Sequence, residues 1–191
     1  RALVAGDLTT TGVPLEPAGT MTYHELFEIY TEQITALAEA GADLLVVETM
    51  LGIDEMTVAL EAAQSVCTLP VLCSMTVQAD GSGYFGGTCV EAVETLQELG
   101  AAAVGINCST GPDQLESLVR NMRQAAKVPL LVKPNAGMPE ISPEGEAIYS
   151  MGPEAFAQHM RTLIDAGAAL VGGCCGTDPR YISALRDVLP R

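Results

Sequence analysis

The 191-residue chain carries 9 Lys+Arg against 24 Asp+Glu, a formal net charge of −15, with 48% hydrophobic and 17% charged residues. That balance excludes nucleic acid and an anionic membrane as partners, since both need a basic face, and the apolar content excludes a disordered chain. The length fits one domain or part of a larger one, and with no Trp, 3 Phe and 5 Tyr the core rests on aliphatic side chains and Met.

No apolar stretch approaches the ~20 residues of a membrane span, and residues 1–6 are too short for a signal-peptide core. A cytoplasmic, reducing location is expected, where the 6 Cys serve metal or catalysis rather than disulfides.

In chain order, short β-rich apolar runs alternate with segments of helical period. A strand is predicted at 2–5, followed by a helix face of Leu26, Tyr30, Ile34 and Leu37. The run at 43–48 precedes Met56, Leu60, Ala63 and Cys67, and the run at 70–77 precedes Ala92, Leu96 and Leu99. Then come 103–108 with Leu115, Leu118 and Met122, 129–134 with Phe156, Met160 and Leu163, and 169–174 with Ile182, Leu185 and Leu189. These spacings are those of strands and amphipathic helices. Thr22 with Glu25 and Thr88 with Glu91 have the spacing of capping boxes, and Pro112, Pro153 and Pro179 stand where helices begin.

Strict strand–helix alternation with continuous apolar strands means a parallel sheet covered by helices. A repeat selects which one. Leu37-x-x-x-Gly41-Ala42, Leu96-x-x-x-Gly100-Ala101 and Leu163-x-x-x-Gly167-Ala168 feed the second, fourth and sixth strands, whereas Pro70 and Pro129 open the third and fifth. Such odd–even alternation fits a (β/α) barrel, whose interior layers draw on alternate strands; a solenoid fits less well because the unit length varies. Six units at the observed spacing of about 33 residues imply about 265 for eight, close to the ~250 of a (β/α)₈ barrel. Residues 1–191 are therefore expected to be a single barrel domain lacking about two N-terminal units, in keeping with a chain that starts at Arg1 rather than Met. The first strand should then lack a neighbour, and Cys174-Cys175 should lie beside the gap.

Seven and eight positions after each shared glycine stand Glu48-Thr49, Asn107-Cys108 and Cys174-Cys175. In a barrel these are the C-terminal strand ends, where active sites form. Three thiols without a fourth protein ligand nearby describe a zinc site with an open position, since His24 and His159 fall in helices. Such a centre can hold an incoming thiol as thiolate at neutral pH, which implies alkyl transfer to sulfur. Cys67, Cys73 and Cys89 read as core or incidental thiols, and residues 81–88 as a turn and helix cap rather than a phosphate loop. Lys133 ends a strand: aimed inward it is a Schiff-base nucleophile, aimed outward it snorkels among the helices, and the outward placement is favoured. Residues 138–152 form either a lid or a plain excursion.

GGCCGT at 172–177 with GINCS at 105–109 resembles the homocysteine S-methyltransferase domain family, in particular the homocysteine module of cobalamin-dependent methionine synthases. VVETM at 46–50, VKPNAG at 132–137 and GDLTTTG at 6–12 are similar to that family too. The resemblance implies a (β/α)₈ barrel with catalytic zinc on Cys108, Cys174 and Cys175, Glu48 receiving the homocysteine ammonium, and Asn135 at the fourth zinc position until substrate displaces it. It implies methyl transfer to homocysteine to give methionine, with methylcobalamin or methyltetrahydrofolate as donor through other domains or subunits. The family's first strand and its glycine-rich turn are not in this sequence. A Schiff-base lyase built on Lys133, and a zinc-binding barrel fragment without turnover, are the alternatives.

Overall fold

The computed structural model describes residues 2–189. Strand β1 (Ala5–Leu8) leads into α1 (Tyr23–Glu39), β2 (Leu44–Met50) into α2 (Ile53–Val66), and β3 (Val71–Met75) into α3 (Cys89–Glu98). Strand β4 (Ala103–Cys108) leads through a 3₁₀ turn (Pro112–Gln114) into α4 (Glu116–Ala125). After β5 (Leu130–Pro134) the chain makes a hairpin of β6 (Pro139–Ile141) and β7 (Ala147–Tyr149), then α5 (Pro153–Asp165), β8 (Ala168–Val171) and α6 (Pro179–Val188).

The helix starts follow the side chains expected of them. Thr22 and Glu25 close one capping box and Thr88 and Glu91 another, each satisfying otherwise unpaired N–H groups. Pro153 and Pro179 are the first residues of α5 and α6, where a missing N–H costs nothing.

Strands β1 to β5 and β8 form one parallel sheet in sequence order. Each crossover helix packs on the next helix along. An unreversed strand order is the winding of a (β/α) barrel; in a doubly wound sheet the order turns back on itself. Among the described residues β1 is paired only with β2 and β8 only with β5, so the sheet is open at both edges.

The second strand runs two residues further than expected, to Met50, the third stops two residues earlier, at Met75, and the first and last strands differ most. The first strand lies at Ala5–Leu8 rather than 2–5, because pairing starts where Ala5 meets Leu44, while Leu3 and Val4 are exposed. Val4 is instead tied to Asp43, donating to its carboxylate and accepting from its backbone N–H, both at 2.8 Å. The last strand stops at Val171, because residues 172–175 bend away while keeping bonds from Gly172 N–H to Val132 and from Cys174 N–H to Pro134.

One sheet face carries Leu45, Val47, Met75, Ile106 and Val132, all essentially inaccessible against the helices. In the paired register the opposite face carries Asp7, Ser74, Asn107 and Lys133, with Glu48 alternating onto the same side of β2. The polar residues of the strands are thus gathered on one side, toward the C-terminal ends. At Gly105 β4 and β5 approach so closely that a Cβ would lie 1.7 Å from the Leu131 carbonyl oxygen, so only glycine fits.

Candidate metal centre

Strand β4 ends in a backbone turned sharply out of extended geometry. Cys108 and Ser109 have φ of 56° and 62°, and Thr49, at the equivalent end of β2, has φ of 59°. Left-handed conformations in non-glycine residues, a β-branched Thr above all, cost on the order of 1–3 kcal/mol and persist where neighbours enforce them. Here the neighbour is Asn107, which is 1% exposed. Its Oδ1 accepts from Thr49 N–H at 2.8 Å and Ser74 Oγ at 2.7 Å, and its Nδ2 donates to Thr49 Oγ1 at 2.7 Å. The remaining amide hydrogen points to Cys174 Sγ at 3.7 Å. All four hydrogen-bonding sites of this buried carboxamide are therefore occupied. Ser109 completes the corner, accepting from Val77 N–H at 2.9 Å through its Oγ and donating to Thr76 Oγ1 through its N–H.

The segment after β8 is fastened to β5. Cys174 N–H donates to the Pro134 carbonyl at 2.8 Å, Cys175 N–H to Asn135 Oδ1 at 3.1 Å, and the Cys175 carbonyl accepts from Ala136 N–H at 2.9 Å. Thr177 closes the turn, its hydroxyl donating to the Cys174 carbonyl at 2.7 Å. Gly176, at φ 78°, sits under the Tyr149 ring, which a Cβ would meet at 2.3 Å. The bend turns two adjacent side chains, which a regular strand would send to opposite faces, toward one point.

The result is a cluster of three sulfurs. The Sγ atoms of Cys108, Cys174 and Cys175 all lie within 4.8 Å of one another, with Cys108–Cys175 at 3.6 Å and Cys174–Cys175 at 4.0 Å. A tetrahedral zinc at about 2.3 Å from each sulfur needs sulfur–sulfur separations of about 3.8 Å. The donor set fits that ion, and three protein ligands leave one position open. The Cys174 thiol is pulled down to about 5, first by the hydrogen bond from the Cys108 thiol and then by the Asn107 amide, while Cys108 is pushed up.

Glu48 and Lys133 meet on the same side of the sheet. Lys133 Nζ donates to Glu48 Oε2 in an ion pair whose side chains are 22% and 21% exposed. The favoured outward placement of Lys133 is therefore corrected: it leaves β5 on the polar face, where an anionic partner outweighs snorkelling. Burial lowers the Lys133 pKa, opposed by the nearby Cys174 and Asp7 anions. An ammonium held by a carboxylate is not the free amine that Schiff-base chemistry needs.

Asn135 is buried, and its carboxamide oxygen is engaged by the Cys175 backbone. The remaining cysteines stand apart: Cys67 caps α2, Cys73 is buried in β3 and Cys89 opens α3. His24 pairs with Glu28 on the surface of α1, and His159 is exposed on α5. Residues 81–88 are turns that end in the Thr88 cap, and residues 138–152 contain the β6–β7 hairpin, whose Tyr149 faces the bend beside Cys175.

Two residues of the site's framework escaped the sequence reading. Asn107 was visible only as the residue aligned with Glu48 and Cys174; nothing in one sequence reveals that its amide ties three segments. Glu55 is 5% exposed and accepts from Tyr30 OH, Thr10 Oγ1 and both the N–H and hydroxyl of Thr11, so it fixes the loop after β1. An acidic residue inside the apolar stripe of α2 was the available signal.

A single parallel (β/α) sheet with a three-cysteine cluster at its strand ends defines the class, and the known proteins agree. The model of the homocysteine S-methyltransferase family matches residues 1–189, and the chain belongs to that family. It is 31% identical over 186 residues to the methionine synthase of Mycobacterium leprae and 32% over 177 residues to that of Mycobacterium tuberculosis, covering 94% and 90% of this chain. The chain spans only 15% of the length of either relative. Among solved structures, the homocysteine methyltransferase MmuM from Escherichia coli in its apo form superposes with a TM-score of 0.79 at 25% identity, covering 98% of this chain and 63% of that one. The metallated form of the same protein gives 0.67, covering 84% and 51%.

Proposed function

We propose that this chain is the homocysteine-binding part of a zinc-dependent methyltransferase that makes methionine. The observation that carries the reading is the convergence of Cys108, Cys174 and Cys175 within 4.8 Å, at separations suited to tetrahedral zinc. When bound, the ion lowers the pKa of a thiol and keeps it nucleophilic at neutral pH. The reaction is an in-line displacement. Homocysteine sulfur, having lost its proton, bonds to the methyl carbon while that carbon's bond to the donor breaks and the electron pair leaves with the donor.

The chain's own residues orient the thiol. Glu48 receives the substrate ammonium, and Asn107 fixes the end of β2 against Cys174. Asn135, on the segment that fastens Cys175, is the candidate for the fourth metal position before substrate arrives. The methyl donor, methylcobalamin or methyltetrahydrofolate, is carried by domains or subunits beyond these residues. Two further strands closing the sheet complete an eight-stranded barrel in this reading, and both open edges support it.

Metal analysis and substrate binding test the proposal together. The full-length protein should hold one zinc per copy of this domain, and homocysteine should bind with release of its thiol proton. Glu48→Gln should keep the zinc and weaken homocysteine by about 10–150-fold, the worth of a charge-assisted contact. Full homocysteine affinity after zinc removal would sink the metal role, and unaltered affinity in Glu48→Gln would remove Glu48 from the site.

A further inference from the structure

Lys133 has no assigned part in the chemistry above, yet it lies on the polar face with Asn107 and Glu48. It stands opposite Asn107 in the β4–β5 register, one residue before the Cys108–Pro134 pair. From there its side chain crosses toward β2 and meets Glu48. Both partners are largely withdrawn from solvent, at 22% and 21% exposure. Lys133 engages only Oε2 of Glu48, and the other carboxylate oxygen has no hydrogen-bond partner among the described residues. The ammonium lies within electrostatic reach of Asp7 and of Cys174. The pair therefore bridges the space between the sulfur cluster and the end of β2, with one acceptor oxygen and the remaining ammonium hydrogens uncommitted.

A contact pair of one anion and one cation is the complement of an α-amino acid, whose ammonium and carboxylate share a single carbon. An isolated Glu48 would recognise any amine. Set against Lys133 it presents a carboxylate for the ammonium and an ammonium for the carboxylate, and the site gains no net charge when a zwitterion enters. Both residues sit on strands, so the pair is formed before ligand arrives and little ordering is needed on binding.

We propose that Lys133 is a specificity-determining residue that binds the α-carboxylate of the thiol substrate while Glu48 binds its α-ammonium. The site then selects thiols that carry a free amino-acid group, and discriminates against amines that lack the carboxylate. This rests on the homocysteine reading given above.

The test compares homocysteine with 3-aminopropane-1-thiol, which has the same thiol and amine but no carboxylate, by calorimetry on the zinc-loaded full-length protein. The wild type should prefer homocysteine. Lys133→Met should weaken homocysteine by about 10–150-fold, leave the amine thiol essentially unchanged, and keep the zinc content. Lys133→Arg should restore most of the preference. Homocysteine methyl ester, tested on the wild type and so independent of any variant's folding, should lose a similar factor. Equal weakening of both ligands in Lys133→Met would reduce Lys133 to a prop for Glu48, and tighter binding of both would make it a competitor of the substrate ammonium. Either result overturns the proposal, as does undiminished affinity for the methyl ester. If the zinc-loaded wild type binds neither thiol, the homocysteine reading falls as well, whereas failure of discrimination alone removes only the role of Lys133.

Discussion

Cysteines in this chain occupy two contrasting environments. Cys73 lies inside β3 on the helix-facing side of the sheet, fully buried, and burial pushes its thiol up to about 12. Cys108 closes β4, and Cys174 and Cys175 lie just beyond β8, where bent backbone brings three sulfurs together and the hydrogen bond from Cys108 pulls the Cys174 thiol down. The same side chain is an inert packing atom in one place and part of a cluster with the spacing of metal ligands in the other. What separates them is backbone geometry: a pleated strand isolates each thiol, while a left-handed turn and a glycine-flanked bend focus several on one point.

The contrast breaks most severely at the ligands. Cys108→Ala, Cys174→Ala and Cys175→Ala should each lower zinc affinity by well over about 100-fold, since even the outer residues of metal sites are worth 10–100-fold. Metal content after dialysis reads this directly, and full zinc retention in Cys175→Ala would show that the cluster is misassigned.

Asn107→Ala sharpens the comparison from the second layer. It strands Ser74 and the Thr49 backbone and removes a donor to Cys174, so zinc affinity should fall by about 10–100-fold, with about 1–3 kcal/mol lost in denaturant unfolding. Retention of full zinc affinity would reduce Asn107 to a structural tie.

Alkaline pH probes the buried member. A thiol whose pKa is raised by folding contributes stability that is complete below its ordinary value near 9 and is lost as pH climbs toward about 12. Native protein at pH 8 should therefore resist iodoacetamide at Cys73 until it unfolds, while the cluster, stripped of metal, reacts first. Mass mapping of the labelled sites decides between them, and early labelling of Cys73 would contradict its burial.

The smallest effect is expected at Cys67, at the end of α2. Cys67→Ser should shift stability by no more than about 0.5 kcal/mol and leave zinc binding unchanged.

Much of this was legible in the amino-acid sequence. The strands of β2 to β5 announce themselves because both faces are apolar over most of their length, and the helices because their caps are made by Thr–Glu pairs and prolines. The shared glycine before β2, β4 and β8 aligned Glu48, Cys108 and Cys174 with one end of the sheet, since a fixed count from a fixed turn locates a strand end. The placement of β1 was not legible: its apolar residues 2–5 precede the paired segment, and Asp7 on the polar face disguises the strand itself. Nor was the direction of Lys133, because a lysine's reach is decided by which partner waits at its tip, and Glu48 is 85 residues away in sequence. The left-handed turns at Thr49 and Cys108 were equally hidden, being imposed by Asn107 and not by any local preference.

Proximity of the sulfurs has a further consequence for how the protein must be kept. Cys108 and Cys175 stand 3.6 Å apart, and a shift of about 1.5 Å would bring them to the bonding distance of a disulfide. If the cluster holds zinc as proposed, removing the ion in air should expose these neighbouring thiols to oxidation. On the same reading the ion would also shield them. Chelated protein should lose its free thiols in pairs, and recover metal binding only once a reductant has been supplied.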